Sequence, residues 1–236
     1  MCFSASASFT ASALLIPTGI YCIRMALHRQ TSSELVQDRE YLSVSCLPLF
    51  FGIQQAFEGL LWLGLDAQNL TEISFSALGF LFFSHFVWLA WIPFSAFALE
   101  HNPFKKKILY IVTTIGALYG VFLYFPLLLN RDWLAVRIAN HSIDYQVRLI
   151  FHDFLRGQQV IWLYVFFIIF PLFVSSLRSL KILGVLILTS AFLTHLSFSY
   201  AFISVWCFFA ALLSGYVFYM LQPESEPISD RWIARF

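Results

Sequence analysis

Charge is scarce in this chain. Only 11% of its 236 residues are Asp, Glu, Lys or Arg, and the signs nearly cancel at 13 acidic and 14 basic. A water-soluble domain carries about 25% charged residues, so a freely soluble fold is excluded. The near-neutral balance also excludes the basic face that nucleic acid requires. Cysteine is sparse too: Cys2, Cys22, Cys46 and Cys207 are too few and too scattered for a disulfide framework. Cys22 and Cys46 fall near the inner ends of two apolar runs. Cys2 and Cys207 fall toward the other side, where one bridge is conceivable; the plainer reading is buried, apolar thiols. No linker and no convincing internal repeat divides the chain. Nor does a basic segment and a short apolar core with a cleavage motif follow Met1, so no signal peptide is expected.

Apolar sequence fills the space that charge leaves. The chain is 60% hydrophobic with 28 Phe, arranged in seven long runs at roughly 9–27, 42–65, 73–99, 108–129, 157–176, 182–201 and 202–221. At ~1.5 Å per residue, some 20 residues cross the ~30 Å hydrocarbon layer. The expected fold is therefore an all-α integral membrane protein, a seven-transmembrane helix bundle in the lipid bilayer. It forms one domain over 1–221, with a short cytoplasmic tail at 222–236. The last two runs are divided only by a tight turn at Tyr200-Ala201-Phe202-Ile203. Without that turn the count is six and the C-terminus changes sides.

Orientation follows the Lys and Arg residues. With the N-terminus outside, ten of the 14 fall inside: Arg24, Arg29, Arg39, Lys105, Lys106, Lys107, Arg178, Lys181, Arg231 and Arg235. The other four, Arg131, Arg137, Arg148 and Arg156, fall outside. Pro17, Pro48, Pro93, Pro126 and Pro171 lie in or at the edges of spans, where each can kink its helix. The tail is polar from Pro223 to Pro227, and Trp232 and Phe236 suit the membrane interface.

The longest loop, 130–157, lies outside under this orientation. Leu134, Val136 and Ile138 alternate with polar or small residues, as do Ile143, Tyr145, Val147 and Leu149. Between them stands Asn140-His141-Ser142. Period-two alternation around a turn-forming cluster predicts a short extracellular β-hairpin over the bundle mouth, at about 133–150.

Three ionisable residues lie well inside spans: Glu58, His85 and His195. A carboxylate near the centre of a membrane helix costs roughly 2.5–3.5 kcal/mol, and such residues face a bundle interior with a partner. Counted from the inner helix ends, the three stand ~24, ~22 and ~20 Å up, within about one turn of a common level. One carboxylate and two imidazoles at one depth are a ligand set for a transition metal, zinc first. An open fourth position would activate water. Gln54 and Gln55 share the Glu58 face and are candidates for holding a cofactor or its water. His152 and Asp153, just before the fifth run, are candidate proton-handling catalytic residues. The competing reading leaves all three residues to packing: Glu58 bonded to a neighbouring helix, His195 to a Ser or Thr, His85 in the core. No two of them share a helix at ligand spacing. His28, His101 and His141 read as loop residues. The small residues Ser4 to Ser8 alternate, so the segment either lies extended over the bundle mouth or packs closely in a helix.

The start Met-Cys-Phe-Ser-Ala-x-Ala-Ser-Phe, with Gln54-Gln55-x-x-Glu58-Gly59-x-x-Trp62, resembles a family of uncharacterised bacterial multi-span membrane proteins. The resemblance implies no activity. It implies a bacterial inner membrane, and it makes the N-terminal segment and the Gln-Gln-Glu face a single unit. The helix count and the intramembrane histidines are also similar to the seven-helix zinc amidases of the alkaline ceramidase and adiponectin-receptor type. Those pair two histidines four apart on one helix, and this chain has no such pair.

The leading functional expectation is an outward-facing polar pocket in which Zn supports hydrolysis of a small membrane-soluble substrate. Two other classes stand beside it: a proton- or cation-coupled transporter or channel, and an accessory or sensor subunit of a larger membrane complex or homo-oligomer. No mid-span lysine suits a retinal-type pump, since Lys181 sits at a helix end.

Overall fold

A computed structural model describes residues 4–29, 41–139, 141–148, 157–198 and 201–221. His152, Asp153, Cys2 and the tail 222–236 lie outside the described residues. The described residues are mostly helical, with one hairpin. In order come α1 (Ala5–Arg29), α2 (Leu42–Ser45), α3 (Leu47–Asp66), α4 (Leu70–Leu81), a π-helical segment (Phe82–Val87) and α5 (Trp88–Ala98). Then follow α6 (Pro103–Leu129), β1 (Leu134–Ala139), β2 (Ser142–Val147), α7 (Gly157–Val174), α8 (Arg178–Phe198), α9 (Phe202–Leu213) and α10 (Gly215–Met220).

Six stretches are long and apolar enough to cross a membrane: Ala5–His28, Leu42–Asp66, Leu70–Ala98, Pro103–Leu129, Arg178–Phe198 and Phe202–Met220. The expected seventh is a shorter apolar helix, Gln159–Val174. α8 ends at Phe198 and α9 begins at Phe202; Tyr200, in the turn expected there, lies outside the described residues. Helix boundaries follow the caps rather than the hydropathy. The Asn69 side chain accepts from the amides of Thr71 and Glu72, and Asn102 accepts from Phe104 and Lys105, with Pro103 at the first helical position. The third and fourth spans therefore start three and five residues earlier than their apolar runs, at Leu70 and Pro103.

The extended reading of Ser4–Ser8 is corrected. α1 begins at Ala5, and the Ser4 hydroxyl accepts from the Ala7 amide at 3.3 Å. The small residues serve packing. α1 and α3 run so close that a Cβ at Gly52 would meet Ile16 at 2.8 Å and one at Gly59 would meet the Phe9 ring at 2.8 Å. Gly19 lies against the Leu49 backbone in the same seam. Hydrocarbon gives helices no hydrophobic reason to associate, and close backbone approach supplies dispersion contact instead.

The hairpin is present in the expected register. Val136 pairs with Tyr145, and the two-residue turn contains His141 at φ 59°. Ile143 is fully buried, and Tyr145 stacks on Phe80 of α4 with ring centroids 4.9 Å apart. The alternation thus docks one face of β2 on the bundle. The other face shows water the Arg137–Asp144 pair, at 2.7 Å.

Candidate functional site

Glu58 has no solvent exposure, and neither do Gln54 and Gln55. Helical spacing places Gln54, Glu58 and Leu61 on one side of α3, toward α5 and α9. The Ser204 hydroxyl of α9 donates to Glu58 Oε1 at 2.5 Å, the length of a charge-assisted hydroxyl–carboxylate bond. Gln54 Oε1 accepts from the Trp88 indole at 2.9 Å. The Cys207 thiol lies beside the Gln54 amide and near Glu58. It is a free, buried thiol. Gln55, about 60° around α3 from Glu58, lies between Gly52 and Gly59 on the side that meets α1.

His85 stands in the π-helical segment. The widened turn brings Phe83, Ser84 and His85 together into the protein, all buried, a turn from buried Trp88 and Leu89. Such segments occur mostly as local insertions at functional positions. α6 accommodates it with glycine. A Cβ at Gly120 would lie 3.0 Å from both the His85 carbonyl oxygen and Phe86 Cα, and Gly116 lies against the Leu89 carbonyl. The Ser84 hydroxyl and His85 Nδ1 are 3.0 Å apart, and both residues line a cavity of about 240 Å³. Leu123, Tyr145, Val147, Ile161, Tyr164 and Phe202 complete most of its wall. β2 therefore forms part of this wall, and among the described residues no lysine, arginine or carboxylate lines the cavity.

His195 does not share that space. Its ring lies 5.4 Å from Trp162 and 6.2 Å from Phe202. It lines a separate crevice of about 50 Å³ between α7 and α8, beside Leu188, Ala191 and Phe192. Phe202 borders both spaces. The orientation of α8 thus turns His195 into a different gap from that of His85. Among the described residues, no three of His, Cys, Asp and Glu group as a metal ion would need.

Sequence reasoning passed over two features. Ser204 and Trp88, the partners of the Gln-Gln-Glu face, carry no signal of their own among many serines and aromatics. Glu100, treated as a helix boundary, is 1% exposed. Its Oε1 accepts from the Asn102 amide at 2.9 Å and its Oε2 from the Ser176 amide at 2.6 Å. Lys105 donates to the Ser176 hydroxyl at 3.0 Å. Burial raises the Glu100 pKa. The Asn102 and Ser176 amides, the Ser176 hydroxyl and the Lys105 charge together outweigh that, so the net shift is downward. A Glu seven residues after Pro93 at the end of an apolar run, with Asn102-Pro103 close behind it, was the available clue to a capped, folded loop.

The chain belongs to a family of unknown function, DUF6629, which matches residues 1–231. No curated protein and no solved structure matches it.

Proposed function

For a member of a family without an assigned activity the site itself is the guide, and we propose that this protein is a seven-pass membrane protein that binds a small, uncharged, membrane-soluble ligand in the cavity beneath the hairpin. In this reading the N-terminus and the hairpin lie outside, as the lysine and arginine distribution favours, and the bilayer is a bacterial inner membrane. The cavity carries the proposal. Its wall is apolar and aromatic with a buried imidazole as a polar anchor, the usual make-up of a ligand site. Ser84 orients the ring through Nδ1, and Nε2 would take a ligand hydroxyl, phenol or carbonyl. A charged ligand would find no counter-charge among the described lining residues.

Binding is preferred to zinc-assisted hydrolysis because Glu58, His85 and His195 face three different surroundings: Ser204, the cavity and the α7–α8 crevice. A metal shared by all three would require α8 to rotate. His152 and Asp153, the proposed proton carriers of that reaction, lie outside the described residues.

The test is native mass spectrometry of the protein released from membranes in mild detergent. Wild type should carry a co-purifying small molecule. Val160→Phe and Ile161→Phe, which fill the cavity, should lose it with unchanged thermal stability. Co-purification that neither variant disturbs would overturn the reading. Stoichiometric zinc, lost with chelator and in Glu58→Gln, would return it to the metal site.

A further inference from the structure

The α1–α3 seam contains buried polar groups that no helix neighbour satisfies. Gln55 is fully buried, and both ends of its amide lack a hydrogen-bond partner among the described residues. The same holds for the Ser8 hydroxyl, also fully buried, and the Trp62 indole N–H, 6% exposed. These groups are aligned. Gln55 and Trp62 bracket Gly59 on α3, four residues before it and three after it. Gly59 is where α3 touches Phe9, the neighbour of Ser8 on α1. Glu58 lies one turn from each of Gln55 and Trp62. At its upper end, Trp62 packs in the cluster that contains Ile143 and Tyr145 of the hairpin.

Burying an amide with neither end bonded costs several kcal/mol in a hydrocarbon-like medium, and buried polar groups are satisfied by protein or by ordered water. The chemistry of the groups identifies the occupant. Gln55 Nε2 and the Trp62 indole can only donate, Gln55 Oε1 can only accept, and the Ser8 hydroxyl does both. A cation would leave the two N–H groups unmet. An anion would be repelled by Glu58 and would leave Oε1 unmet. Water satisfies every member.

We propose that the α1–α3 seam is a hydration site: a short file of internal waters, held by Ser8, Gln55 and Trp62, that wets Glu58 from the hairpin end of the bundle. Gln55 and Trp62 are seven residues apart, a rise of about 10 Å, which three or four hydrogen-bonded waters span. The file gives a fully buried carboxylate a route to solvent protons that does not pass through the His85 cavity. The proposal is independent of any ligand in that cavity.

X-ray radiolytic footprinting with mass spectrometry tests it, because hydroxyl radicals born from a bound water label the side chains beside it. Trp62 and Trp88 provide an internal comparison, since both indoles are buried but that of Trp88 is bonded to Gln54. In the wild-type protein in detergent, Trp62 and Phe9 should label several-fold faster than Trp88. In Gln55→Leu, labelling of Trp62 should fall toward that of Trp88 while Trp88 itself is unchanged. Equal labelling of the two tryptophans in wild type would overturn the proposal, and this arm needs no variant to fold. Fast Trp62 labelling that Gln55→Leu leaves untouched would overturn the role of Gln55 and with it the file.

Discussion

Two glutamates in this protein are removed from solvent, and they are held differently. Glu100, between α5 and α6, is bound by two backbone amides with Lys105 nearby, and it ties the α5–α6 loop to the residues joining α7 and α8. Glu58, inside α3, receives a side-chain hydroxyl from α9 and lies among amides, an indole and a thiol. Backbone donors are fixed by the fold and cannot be withdrawn. A serine hydroxyl rotates, and glutamine and cysteine side chains offer weaker or adjustable partners. The loop carboxylate is built as a clasp. The one inside α3 sits in surroundings that tolerate a change of partner. Asp144 marks the opposite limit, a carboxylate in an ion pair whose Arg137 partner is 63% exposed.

Mutation should rank the three. Glu100→Ala leaves two part-buried backbone donors without their acceptor, at up to about 1–3 kcal/mol for each. It should give the largest drop in thermal stability, read by a melting curve in detergent. Little change would show that the clasp is ornamental. Ser204→Ala should cost about 1.5–3 kcal/mol, the worth of a hydrogen bond to a charged group. The same substitution in a Glu58→Gln background should cost less, since the acceptor is then neutral. Equal costs in the two backgrounds would mean that the bond is not charge-assisted.

The clasp should also be acid-sensitive. A carboxylate whose folded pKa is lowered supplies stability that is complete above its ordinary range and lost as pH falls through the lowered value. Melting temperature should therefore fall on acidification below about pH 4.5. Glu100→Gln should remove part of that dependence. An identical profile in the variant would assign the acid sensitivity elsewhere. Arg137→Ala should have the smallest effect, within about 0.5 kcal/mol, because exposed ion pairs are screened. A larger loss would mean that the hairpin depends on its exposed face as well as its docked one.

The hairpin and the metal set show how far the residues alone reach. Alternation in 134–147 specified both strands and the Val136–Tyr145 register, because side-chain direction in a strand repeats every two residues and a one-residue slip would expose Ile143. Glu58 was legible as buried and partnered, because the hydrocarbon penalises any other state. His85, His195 and Glu58 were legible only as a common level. Depth follows from counting residues, whereas azimuth depends on how each helix is rotated against its neighbours. A π-helical turn at 82–87 re-aims His85, and nothing in a single apolar run announces it.

Composition and periodicity by themselves determined a mostly helical chain with stretches long and apolar enough to cross a membrane, the hairpin and a buried carboxylate inside one of those stretches. Each follows from local rules: the apolar length needed to cross lipid, the period of a strand, the cost of charge in hydrocarbon. Tertiary structure decided which helices meet at glycines, that Ser204 answers Glu58, that His85 and His195 part company, and that Glu100 fastens two loops. Those outcomes depend on rotation and contact between segments as far apart as 146 residues, and helix–helix packing in lipid is set by shape rather than by any pattern along one helix.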